Sequence, residues 1–155
     1  MQVARVCVAS WLAGFAMVAQ AQLASHCTSA EVAVWLCRSG AKHYSLCASR
    51  DLDRQRGYLQ YRAGKLGAIE FLHPTSHKHP AGAFTFGLLP HGASLGFEVG
   101  SYSYDISEDL KDQTVIFVTG PARSGTVTCD ASTHSLTLTS TINFLESVGI
   151  TGKAQ

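Results

Sequence analysis

Four cysteines stand downstream of a short apolar leader, at positions 27, 37, 47 and 129, and how they pair constrains this fold more than any other feature. A fifth, Cys7, lies inside the leader. Arg5 supplies one positive charge, and Val6 to Val18 is an apolar core broken only by Ser10 and Gly14. Ala19-Gln20-Ala21 then offers small residues for cleavage before Gln22. These are the three parts of a signal peptide. A membrane anchor needs roughly 20 continuous apolar residues, and this run is shorter. A lipoprotein signal does not fit either, because Cys7 comes too early and Cys27 follows His26 rather than a small residue. Cleavage is expected to leave residues 22–155 as one disulfide-stapled domain, periplasmic or secreted. An even cysteine count in an oxidising compartment favours two disulfides. No CxxC or CxxH pair suggests zinc instead.

Removing the leader also removes its charge. The chain carries 12 Lys and Arg against 11 Asp and Glu, and losing Arg5 makes them equal. A neutral domain has no general attraction to nucleic acid or to membranes, and none of the remainder predicts a membrane span.

Glu31 to Cys37 is apolar and β-branched, Arg38 to Ala41 reads as a turn, and Lys42 to Ala48 returns as the second strand of a hairpin. Cys37 then sits beside the turn and Cys47 at the far end. Strands advance about 3.3 Å per residue, and bridged Cα atoms lie within about 7 Å. Cys37–Cys47 is therefore too long, and the extended segment between Cys27 and Cys37 disfavours that pair. The reading leaves Cys27–Cys47 and Cys37–Cys129.

Between Gly57 and His73, Leu59 and Tyr61 alternate with Gln60 and Arg62, and Ile69 and Phe71 with Glu70. One apolar face holding Leu59, Tyr61, Ile69 and Phe71 requires an odd loop of three or five residues with glycine in the left-handed region. Gln60, Arg62 and Glu70 then point outward together. A His/Pro-rich loop follows from Pro74 to Gly82. Short strands are expected at 83–88, 94–99, 102–106, 114–119, 125–129 and 135–139, the spacing of an all-β antiparallel sandwich or barrel. Only the tail reads as helix: Ser140 caps a turn carrying Ile142, Leu145 and Val148, with Gly149 just past its end and Ile150 packing back on Leu145.

Tyr44-Ser45-Leu46-Cys47-Ala48-Ser49, then Gly57-Tyr58-Leu59-Gln60-Tyr61-Arg62 and the acidic Glu70, carry a likeness. The pattern resembles a family of small, exported, uncharacterised bacterial proteins with a cysteine-bearing hairpin, a YLQYR-type strand, a glycine-rich β region, a late cysteine and a short C-terminal helix. Ala63 replaces the second aromatic usual after the arginine. The resemblance implies a bacterial origin, export and one domain, and transfers no catalytic residue.

Two groups carry recognisable chemistry. Arg50, Arg54, Arg56, Arg62 and Lys65 gather around Tyr58 and Tyr61, and arginine forks beside aromatic faces hold carboxylates, phosphates or charged sugars. Arg54, Arg56, Tyr58, Gln60, Arg62 and Glu70 are the expected contact for a ligand or partner. The second group is His73, His77, His79 and His91, where the H-x-H spacing of His77 and His79 suits a transition metal. His73, His77 and His79 form the alternative metal site. Asp105, Glu108, Asp109 and Asp112 read as a solvated turn, since a calcium loop needs glycine at its bend. No G-x-S-x-G elbow occurs, and oxidised cysteines are not nucleophiles.

The favoured function is a non-catalytic binding or interaction module of the cell envelope, without cofactor. Its expected partner is an unidentified envelope or extracellular protein or a glycan. One form is inhibition of an envelope-directed enzyme such as a lysozyme, although no lysozyme-inhibitor motif is present. The alternative is a hydrolase or metal-dependent enzyme built on the His73–His79 loop.

Overall fold

The computed structural model describes residues 23–111 and 113–150. The leader, its cleavage point before Gln22, and Asp112 lie outside the described residues.

Ten strands form two five-stranded antiparallel sheets. The first orders as β10-β1-β2-β3-β4: β10 (Ala131–Thr133), β1 (Glu31–Ser39), β2 (Lys42–Ser49), β3 (Leu59–Lys65) and β4 (Ala68–His73). The second runs β5 (Thr85–Leu89), β6 (Gly92–Val99), β7 (Tyr102–Asp109), β8 (Thr114–Thr119) and β9 (Gly125–Thr128) in sequence order. Trp35, Leu46 and Tyr61 of the first sheet share one cluster with Leu95, Phe97, Ile106 and Ile116 of the second, which makes the pair a sandwich rather than a barrel. The chain returns to the first sheet between β9 and β10.

Both disulfides are those the hairpin argument selects. Cys37 pairs in register with Tyr44 near the turn and Cys47 with Ala33 at the open end. Cys47 therefore reaches Cys27 (Cα–Cα 5.4 Å) and Cys37 reaches Cys129 (5.6 Å). The second bond holds the crossover between sheets. A bulge between Ala33 and Trp35 shifts the alternation of β1, and Val34 to Cys37 are buried consecutively.

The β3–β4 hairpin corrects its expected loop. Lys65 pairs with Ala68 across a two-residue turn, and the odd residue is supplied by a bulge opposite Ala63 and Gly64. Tyr61 and Phe71 reach the core as expected, but Ile69 falls outside the shift and is 46% exposed. Gly64, at φ 153°, is where glycine is needed: a Cβ there would lie 2.3 Å from the Ala68 carbonyl oxygen.

The strand expected at 135–139 is also corrected. β10 ends at Thr133, and the helix α1 (Thr139–Ser147) begins from Leu138, not from a Ser140 cap. Leu136 is fully buried as a turn residue, which explains its strand-like apolar signal. The helix end behaves as read. Gly149 (φ 81°) donates its N–H to the Glu146 carbonyl and Ile150 to that of Leu145, the paired bonds of a Schellman end. Leu145, Val148 and Ile150 are buried together. Among the described residues no helix is long and apolar enough to cross a membrane.

Candidate functional site

Gln60 and Arg62 do lie on the face of β3 opposite the core, but that face is closed. The segment before β1 covers it, anchored by Cys27–Cys47. The His26 N–H donates to Ser45 Oγ, and the His26 ring contacts the carbonyls of His43 and Gly64. Beneath this cover Arg62 is 6% exposed and Gln60 4%. The Arg62 fork donates to both carboxylate oxygens of buried Glu31, at 2.6 and 2.9 Å, and also to the His26 carbonyl and Gln60 Oε1. Tyr58 Oη and the Thr28 N–H complete the shell around Glu31, and Gln60 donates onward to the Pro74 carbonyl. Burial alone would raise the Glu31 carboxyl. Hydrogen bonds from Arg62, Thr28 and Tyr58, with the Arg62 charge, outweigh it and hold the pKa at about 2. The expected contact residues Gln60 and Arg62 are thus spent on holding the cover, the strand and the 74 loop together.

The remaining members of that expected contact separate. Arg54 and Arg56 are exposed: Arg54 donates to the Ser147 carbonyl at the helix end, and Arg56 pairs with Asp53 at 3.0 Å. Tyr58 stacks its ring on His77 at 3.7 Å. Glu70 pairs with Lys42 at the other end of the strand, about 20 Å from Tyr58 at strand spacing. The structure therefore joins Tyr58, Gln60 and Arg62 and leaves Glu70 apart.

The histidines do not converge on one point either. His73 packs into the core, its ring stacked on Phe97 at 4.7 Å, and burial lowers its pKa, partly offset by the main chain at Ala83. His77 lies on Tyr58, His79 Nε2 meets the Asp53 carbonyl at 2.8 Å, and His91 is exposed beyond β5. Among the described residues no group of three His, Cys, Asp or Glu side chains is placed to hold a metal. His77 and His79, the two rings of the H-x-H pair, have different neighbours.

Glu108 belongs to no solvated turn. It faces inward on β7, fully buried, and accepts hydrogen bonds from Thr114 Oγ1 at 3.1 Å and from the Ser135 and Thr137 hydroxyls. It fastens the 135–137 turn beneath the second sheet. Asp109 is the turn residue, its Oδ1 accepting the N–H groups of Lys111 and Gln113.

The open concavity lies elsewhere, on the outer face of the second sheet, and sequence reasoning passed over it. Register carries one row across all five strands: Thr85, Gly96, Asp105, Phe117 and Thr126. A neighbouring row begins Gly87, Ser94 and Ser107. Side chains this small leave a groove of about 600 Å³ that includes Thr85, Gly96, Glu98 and Asp105, and whose lining runs on past the outer face to His73, Phe97 and Tyr104. A Cβ on Gly96 would enter it, 3.0 Å from Thr85 Oγ1 and 3.7 Å from Asp105 Oδ2. Asp105 is exposed, and partial desolvation raises its carboxyl above the ordinary aspartate value. Asp105 and Glu98 line the groove, and among the described residues no Lys or Arg does. Phe117, the register partner of Asp105, is 44% exposed beside it.

Comparison with known proteins finds no matching family model, no matching curated protein and no matching solved structure.

Proposed function

We propose that the protein is a non-catalytic binding module exported from a bacterial cell, and that its contact surface is the groove on the outer face of the second sheet. The leader and the four paired downstream cysteines support export. The observation that carries the binding role is that Asp105 and Glu98 line a concavity in which, among the described residues, no Lys or Arg joins them. Several groups with recognisable chemistry elsewhere are occupied: Arg62 with Glu31, Glu108 with hydroxyls, and the His26, His43 and His79 rings with main-chain groups. Preformed concave sites with few convergent polar groups are where proteins bind ligands.

Gly87→Trp tests this reading. Its Cβ meets only Ser94 Oγ, at 3.6 Å, an ordinary contact, and the indole is placed at the groove. Capture of partners from an envelope extract is expected to be lost in Gly87→Trp and kept in Arg54→Ala/Arg56→Ala. The opposite pattern would return the contact to the arginine loop.

A further inference from the structure

We propose that the groove takes a lysine- or arginine-bearing segment of a partner protein, with Asp105 as the residue that selects the cation; this rests on the groove being the contact surface. Charge decides the class of occupant. Two carboxylates line the groove, and among the described residues no Lys or Arg does; His73, whose pKa burial lowers, also lines it, so a bound ammonium or guanidinium meets attraction. The geometry suits a side chain delivered on a peptide. Gly87 and Gly96 put no Cβ between the sheet and an incoming main chain, while Thr85 and Ser103, whose hydroxyls donate to the Gly96 and Thr119 carbonyls, keep lone pairs that accept from a cation. Asp105 occupies the middle strand of the sheet, with Gly96 as its register partner on one side and Phe117 on the other.

The test is an NMR titration of the labelled protein with short blocked peptides alternating glycine with lysine, arginine, norleucine or glutamate. The lysine and arginine peptides are expected to shift the amides of Thr85, Ser94, Gly96 and Asp105, and added salt is expected to weaken them. Asp105→Asn should weaken them about tenfold or more, as loss of a charge-assisted hydrogen bond does, with unchanged thermal unfolding. Equal binding of the norleucine or glutamate peptide, or no shift at the groove with either cationic peptide, would overturn the cation proposal. If Gly87→Trp still abolishes partner capture in that case, the groove remains the contact and only its ligand class is wrong. If Gly87→Trp captures normally, the groove reading itself fails.

Discussion

Arg62 holds Glu31 through two nearly parallel hydrogen bonds across 31 residues of chain, with side chains 7% and 2% exposed. The pair joins the first residue of β1 to the middle of β3 and takes in the covering segment through the His26 carbonyl. Removing one partner of a buried pair strands the other's charge, so Arg62→Ala is expected to cost about 3–5 kcal/mol. Urea unfolding followed by circular dichroism measures it. A loss below about 1 kcal/mol would mean that the site is solvated, as exposed pairs are.

The same carboxylate makes stability depend on acid. The Glu31 pKa lies below its ordinary 4.5, at about 2 in the folded protein. The unfolded chain therefore binds the proton first, and the pair's contribution is present above pH 4.5 and lost as pH falls towards 2. Glu31→Gln should flatten the denaturant midpoint over that window. An unchanged slope would show that other carboxylates govern acid unfolding.

His73 acts higher on the scale and in the same direction. Burial lowers its pKa below 6.5, so the unfolded chain takes up the proton more readily. Stability is complete above pH 6.5 and declines as pH falls below it. His73→Phe, which keeps a ring against Phe97, is expected to remove that decline in thermal unfolding measured across the window.

The two disulfides close loops of different length, with sequence separations of 20 and 92. Chain entropy makes the longer closure worth about 1 kcal/mol more, so Cys37→Ser/Cys129→Ser should destabilise more than Cys27→Ser/Cys47→Ser. The second variant should also raise amide exchange in residues 23–30 and around Arg62, because it unpins their cover.

Gly64→Ala is expected to cost about 2 kcal/mol or more, since its Cβ meets the Ala68 carbonyl and the backbone is unfavourable to other residues. Calorimetry of this variant beside Gly67→Ala, whose Cβ meets nothing within 4 Å, separates crowding from turn strain.

These positions show why some of the molecule was legible and some was not. The Cys37 and Cys47 placements follow from one hairpin, because local register converts sequence distance into spatial distance. Gly149 and Ile150 likewise announce their helix end by local chemistry. Ile69 misled because a bulge, unlike a longer loop, changes phase partway along the strand. Alternation put Arg62 correctly on the face away from the core, but nothing local shows that a segment tied by Cys27 folds over it. Glu108 read as solvated because its hydroxyl partners lie on another strand and a distant turn. The groove was the least visible. Gly87, Gly96 and Asp105 are ordinary strand residues until sheet register sets them side by side.

Amide hydrogen exchange of the purified protein, with and without an envelope extract, bears most directly on the groove as the contact surface. New protection is expected at Thr85, Ser94, Gly96 and Asp105, with the Arg54–Tyr58 loop unchanged. Protection confined to that loop, with the second sheet exchanging as before, would contradict it.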